Sequence, residues 1–153
     1  MNEVPNITAL KATLKNRQRL MGIDPGTKTL GLAISDFLYM VASPLMTIKR
    51  TKFSKDIVQL KAIITEHNVG GLVIGLPKNM DGSEGPRCQS VRQFASNLMQ
   101  EIDLPFLFWD ERLSTAGVER TLIEADMSRA KRKDVIDKMA AAYILQGALD
   151  AMS

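Results

Sequence analysis

Hydrophobic residues come in short runs separated by turn formers, and their spacing predicts strands alternating with helices. Leu20 to Ile23 is an apolar run, Pro25-Gly26-Thr27-Lys28-Thr29 is turn-forming, and Leu30 to Ile34 is apolar again, so two strands joined by a tight polar turn are expected. A third strand is expected around Tyr39 to Ile48, at an edge or broken, because Pro44 interrupts it. Phe53, Ile57, Leu60 and Ile64 recur at helical spacing and predict an amphipathic helix over Ser54 to His67. Val69 to Leu76 is a nearly continuous apolar run, the pattern of a strand covered on both faces. A long loop, Pro77 to Arg87, then opens a helix with Pro86 near its first position and Val91, Phe94, Ala95, Leu98 and Ile102 facing inward. Leu104 to Trp109 reads as the last strand. Ser114 or Thr115 caps a helix running to about Ala125, and a final helix runs from about Lys133 to Ala151.

Residues 1 to 18 are polar and basic, with a short helix expected at Thr8 to Lys15. They read as an extension outside the core, which leaves 19–153 as a single domain. A chain of 153 residues with 45% hydrophobic and 24% charged residues is of ordinary globular composition. No apolar run is long enough to span a bilayer and the N-terminus has no apolar signal core, so a soluble, cytoplasmic protein without a membrane partner is expected. The single Cys88 excludes an internal disulfide, and one cysteine with one histidine, His67, cannot assemble a Cys/His zinc site. Any metal would have to be held by carboxylates. His67 ends a predicted helix, where a structural role suits it.

Charge adds to this picture through its distribution more than its total of +3. Lys11, Lys15, Arg17 and Arg19 form one basic cluster; Lys49, Arg50, Lys52 and Lys55 form a second; Arg129, Lys131, Arg132 and Lys133 form a third. Each alone is an ordinary solvated surface, but three in so short a chain favour a polyanionic partner. Lys78 and Arg87 flank the glycine-containing loop before a helix N-terminus, where backbone N–H groups can meet phosphate. The spacing is not that of a Walker loop.

The acids stand where strands end. Asp24 lies where a buried strand opens to solvent, and Gly26 and Gly31 remove side chains beside it, so that a metal, a phosphate or a backbone can come close. An Asp capping a hairpin turn explains it equally well. Asp110-Glu111-Arg112 stands at the end of the last strand, as chemistry or as a loop ion pair. Asp137 shares the i, i+3, i+4, i+7 stripe with Ala140, Ala141 and Ile144, which turns a carboxylate toward the sheet. If the first strand is central and parallel to the two later ones, these acids share one edge of the sheet. Oxygen ligands alone select Mg²⁺ or Mn²⁺, and two such ions about 4 Å apart can activate water and stabilise a leaving oxygen in phosphodiester cleavage.

The segments GIDPGTKTLGLAISD, VIGLPKNMDGSEGPR, DERLST and IDKMAAAYILQGALD resemble the YqgF (RuvX) family, Holliday-junction-resolvase-like proteins of the RNase H-like superfamily that are regarded as pre-16S rRNA nucleases. The resemblance covers about residues 20 to 150. It implies an α/β fold with an RNase H-like mixed sheet of about five strands, the first three antiparallel and the later ones parallel to the first, flanked by helices. It also implies a cytoplasmic, divalent-metal-dependent nuclease that matures the 5′ end of 16S rRNA, with branched DNA as the alternative substrate. By position, Asp24 matches the family's first-strand acid, Glu111 with Asp110 the acids of its DER motif, and Asp137 the acid of its last helix; Asp24, Glu111 and Asp137 are then the expected metal ligands. Whether Asp110 or Glu111 faces Asp24 stays open, since successive strand residues point to opposite faces. Lys28, Arg112, Ser114 and Thr115 match polar motif positions that orient substrate or acids. The basic tail before Arg19 and Trp109 before the DER motif depart from the family pattern. Two rival readings remain: an actin-like nucleotide site, which needs a second lobe that this length does not supply, and a non-catalytic nucleic-acid-binding module. A monomer and a dimer are both compatible with the sequence.

Overall fold

The computed structural model of the chain describes residues 2–113 and 129–152, with the backbone alone at residues 113 and 129–135. The order is α1 (Ile7–Ala12), β1 (Arg19–Pro25), β2 (Thr29–Ser35), β3 (Ala42–Lys49), α2 (Phe53–Glu66), β4 (Val69–Leu76), α3 (Pro86–Glu101), β5 (Phe106–Asp110), a single 3-10 turn (Glu111–Leu113) and α4 (Arg129–Asp150). One five-stranded sheet has the order β3-β2-β1-β4-β5. β1, β2 and β3 pair antiparallel, and β4 and β5 run parallel to β1, as the resemblance implies.

Alternation along the strands sorts the core into two layers. Met21, Ile23, Leu30, Leu32, Leu72 and Ile74 face α2 and α3, where they meet Leu60, Val91, Phe94 and Leu98. Leu20, Ala33, Val73 and Leu107 face the other way, toward Ala141, Ile144, Leu145 and Ala148 of α4. The close seat of α4 depends on glycine. A Cβ on Gly22 would come within 2.8 Å of the Ala141 carbonyl oxygen, and one on Gly31 would fall on the Asp137 carbonyl oxygen.

Several expected boundaries move for identifiable reasons. β3 starts at Ala42 because Tyr39 sits at φ 58°, in a turn whose Met40 and Val41 N–H groups donate to the Asp36 carboxylate. Its edge position and the register shift opposite Leu32/Ala33 accommodate Pro44. β5 begins only after Pro105, which has no N–H for the ladder. α4 begins at Arg129 instead of Lys133, so the basic stretch is helical and not a preceding loop; Arg, Ala and Lys are good helix formers. The expected helix from Ser114 or Thr115 to Ala125 lies outside the described residues.

The first eighteen residues do not stand outside the core. Asn6 caps α1 by accepting from the Ala9 N–H, and α1 buries Ile7 and Leu10, the latter with 0% exposure, against the α4 face. Ahead of it Val4 donates to the Phe106 carbonyl, and Phe106 donates back to that of Asn2, in a parallel bridge beside β5. A polar, basic composition hid two apolar anchors spaced i, i+3. Among the described residues no helix is long and apolar enough to cross a membrane.

Candidate functional site

Three residues stand side by side across the middle of the sheet, at the C-terminal end of β1. Asp24 pairs with Gly31 of β2. Ile23 pairs with Ile74 of β4, so the next residue along brings Asp24 level with Gly75. The row is therefore Gly31–Asp24–Gly75, one carboxylate between two positions without side chains, and all three face α4. Asp24 itself is buried, at 8% exposure.

Each glycine makes room for another acid. Asp137 of α4 lies over Gly31, its backbone against the strand, and its carboxylate accepts a hydrogen bond from the Thr29 hydroxyl. Over Gly75 lies Glu111: a Cβ added to that glycine would come within 2.9 Å of the Glu111 Oε1 and 2.5 Å of Ile144 Cδ1. Strand alternation explains how Glu111 gets there, since it shares the parity of Leu107 and Trp109, both packed on the α4 side.

Asp110 points away from this row. Its parity is that of Phe106 and Phe108, on the α2/α3 side. It pairs with Arg112, whose Nη2 donates to Oδ2 at 2.7 Å and whose backbone N–H donates to Oδ1 at 3.0 Å. The Arg112 side chain, and less so its backbone N–H, holds the Asp110 carboxyl below the usual carboxylate range despite partial desolvation. Arg112 also donates to the Met80 carbonyl at 3.2 Å, which ties the end of β5 to the β4–α3 loop.

That loop is closed on itself: Asn79 N–H donates to the Ser83 carbonyl and Gly82 N–H to that of Asn79. Two of the N–H groups expected to face a phosphate are thus used internally, and Glu84 is held by a two-pronged pair with Arg92 at 2.7 Å for both bonds. Lys78 is half-buried at the loop's start, within electrostatic reach of Asp110. Arg87 reaches toward the Pro25 carbonyl at 3.4 Å, and Lys28 is exposed at the β1–β2 turn. Ser114 and Thr115 lie outside the described residues. Arg129, Lys131, Arg132 and Lys133 lie on the first turns of α4, where the backbone alone is described.

Two contributors do not stand out from the sequence. Thr29 anchors Asp137, and a signal for it exists, because it lies two residues before Gly31 and so on the same face. Arg50 clamps the hairpin turn, with its Nη1 donating to the Gly26 carbonyl at 2.5 Å and its backbone N–H to that of Lys28 at 2.8 Å. Only the charge of its cluster, not its role, is visible in sequence.

Among the described residues no three His, Cys, Asp or Glu side chains are gathered as a ready metal cage. The donor chemistry nevertheless fits a hard divalent cation. Asp24, Glu111 and Asp137 offer carboxylate oxygens only, and Gly75 leaves open the space at the Glu111 carboxylate that a side chain would fill.

Comparison with known proteins gives a consistent result. The RuvX family, described as Holliday junction resolvase, matches residues 18–151. A protein of Paramagnetospirillum magneticum is 59% identical over 144 residues, covering 94% of this chain and 93% of its own length, and one of Methylocella silvestris is 55% identical over 150 residues, covering 98% and 93%. Both carry the name "Putative pre-16S rRNA nuclease". Among solved structures, Thermus thermophilus RuvC superposes with a TM-score of 0.53 at 16% identity, covering 88% of this chain and 95% of its own. RuvC bound to a Holliday junction gives 0.52 at 14% identity, covering 88% and 94%. At that identity the likeness speaks for the fold.

Proposed function

The chain belongs to the RuvX family, and from that premise we propose that the Gly31–Asp24–Gly75 row is the centre of a metal-dependent nuclease that trims the 5′ end of pre-16S rRNA. The observation that carries the reading is the placement of Glu111 and Asp137 over the two glycines that flank Asp24. RNA is favoured as the substrate by the names of relatives covering nine-tenths of the chain. The family description keeps branched DNA as the second reading.

In this reading Asp24, Glu111 and Asp137 hold the cation, Mg²⁺ or Mn²⁺, and Asp110 does not. When bound, the ion supplies Lewis-acid stabilisation of charge developing on a phosphodiester. The chain's own residues do the positioning. Thr29 holds the Asp137 carboxylate toward the sheet, and the pairing of Arg112 with Asp110 fixes the segment that carries Glu111. Arg50 fixes the turn that follows Asp24. Lys28, Lys78, Arg87 and the basic first turns of α4 add positive charge for the substrate backbone, with Ser114 and Thr115 as further polar contacts.

The test is cleavage of end-labelled substrates in Mg²⁺ or Mn²⁺: a 16S rRNA 5′ precursor, a four-way DNA junction and an unstructured RNA. Wild type is expected to cut the precursor, and Asp24→Asn and Glu111→Gln to lose at least two orders of magnitude in rate while staying folded. Asp110→Asn is expected to lose much less. Full activity of Asp24→Asn would sink the assignment, and junction cutting without RNA cutting would move the substrate to branched DNA.

A further inference from the structure

On the α2/α3 side, immediately beyond Asp24, the protein has a second built feature. A narrow cleft of about 50 Å³ is bounded by Pro25, Gly26, Arg50 and Arg87, and Arg50, Ser90 and Phe94 are shared with an open groove of about 570 Å³ running along α3. The groove is lined by Arg50, Phe53, Gln89, Ser90, Gln93 and Asn97, together with Pro86 and Phe94. Among the described residues no carboxylate lines either part. The groove's own lining is two aromatic rings, one guanidinium, and a row of uncharged hydrogen-bonding groups at one-turn spacing along the exposed side of a helix, and the cleft adds the guanidinium of Arg87.

We infer that this groove receives an unpaired nucleotide of the substrate strand next to the scissile phosphate, with Arg50 and Arg87 at its phosphate and the Gln93–Asn97 amides at its base. This rests on the nuclease reading for which strand it serves, but not for whether RNA binds there. Both guanidinium groups are already aimed by the chain. They are held at the adjacent carbonyls of Pro25 and Gly26, and Arg50 lies 5.2 Å from the centre of the Phe94 ring. A guanidinium carries five N–H donors in a planar fork, so one bond to a carbonyl leaves the geometry that suits a phosphate.

The amides are likewise prepared. Gln93 donates to Asn97 Oδ1 at 2.8 Å across one helical turn, so the two amides present a fixed set of donors and acceptors. Phe53 stands edge-on to Phe94, with ring centres 6.5 Å apart, and its partly exposed ring offers a platform on the groove's wall. Amides for a base edge, an aromatic face for stacking and arginine for the backbone are how single strands are gripped, since unstacked bases can enter a pocket and paired ones cannot.

The experiment is fluorescence anisotropy of the full chain with a 5′-fluorescein ten-nucleotide single-stranded RNA in EDTA, where no metal-dependent cleavage occurs. The variants are Gln93→Ala/Asn97→Ala and Phe53→Leu. None changes the charge, so a loss of affinity cannot come from weakened general electrostatics. A rise in Kd of about tenfold in each, with the salt dependence unchanged, is expected. Arg50→Gln should weaken binding and flatten the slope of log K against log salt by about 0.7. Neutral variants that bind within twofold of wild type would overturn the groove, as would a wild type that binds no RNA. Cleavage by Asp24→Asn judges the nuclease reading separately, so a protein that binds here and cuts nothing keeps the groove and loses the nuclease.

Discussion

One sheet is packed by two different rules on its two faces. Against α2 and α3 the strands present Met21, Ile23, Leu30, Leu32, Leu72 and Ile74, and side-chain volume sets the distance to the helices. Against α4 the same strands interleave Leu20, Val73 and Leu107 with Gly22, Gly31 and Gly75, and at Gly22 and Gly31 strand meets helix backbone. The first arrangement removes apolar surface from water and supplies stability. The second gives up side-chain burial at the positions beside Asp24, and what it gains is room for Asp137 and Glu111 over the two glycines that flank that carboxylate. Apolar burial is thus carried on both faces of the same five strands, whereas the row of acids is carried on the α4 face alone.

If so, damage to the two faces should have different signatures. Leu72→Ala, at a fully buried position on the bulky face, is expected to cost about 3 kcal/mol and lower the melting midpoint by roughly 10 °C. Its cleavage rate, measured well below that midpoint, should stay near wild type. Thermal melts beside rate measurements check this, and a large rate loss in the folded variant would break the division of labour.

Gly31→Ala should do the reverse. Its new methyl lands on the Asp137 carbonyl, which is backbone and cannot rotate away, so α4 must shift. The expected loss of stability is about 1–3 kcal/mol, as for overpacked positions, while cleavage by the folded protein falls by more than tenfold. Adding Thr29→Val to Gly31→Ala should give less than the sum of the two losses, because both act through Asp137. Additive effects would show that the helix shift and the threonine bond are independent.

Much of this division is legible in the amino-acid pattern. Apolar periodicity places every described strand and the two long helices of the bulky face within a few residues, because burial on that face follows the pattern directly. Gly31 is legible as a place for close approach, since a missing side chain beside a carboxylate has few other purposes. The contents of that space are harder to read. Thr29 and Asp137 are 108 positions apart, and no local rule pairs them. The choice between Asp110 and Glu111 depends on strand alternation carrying on through the turn after β5. The burial of Ile7 and Leu10 depends on the edge of β5, a non-local surface, being in place.

The mildest test concerns those neighbouring acids, which the end of β5 sends to opposite faces. Asp110 binds its proton less readily in the folded chain than in the unfolded one, chiefly because Arg112 hydrogen-bonds its ionised form. A lowered native pKa means that the pair's stabilisation is complete above the ordinary carboxylate value, about 3.9, and fades as pH falls below it toward the native one. Asp110→Asn should therefore shrink the stability gap between wild type and variant as acid is added, with the curves converging below about pH 4. The effect is small because the pair is partly solvated and screened, so the titration belongs in low salt. Glu111→Gln, measured alongside, should leave that convergence intact and abolish cleavage at neutral pH. The opposite pattern, full cleavage by Glu111→Gln and lost cleavage by Asp110→Asn, would exchange the roles of the two carboxylates and with them the face on which the chemistry is carried.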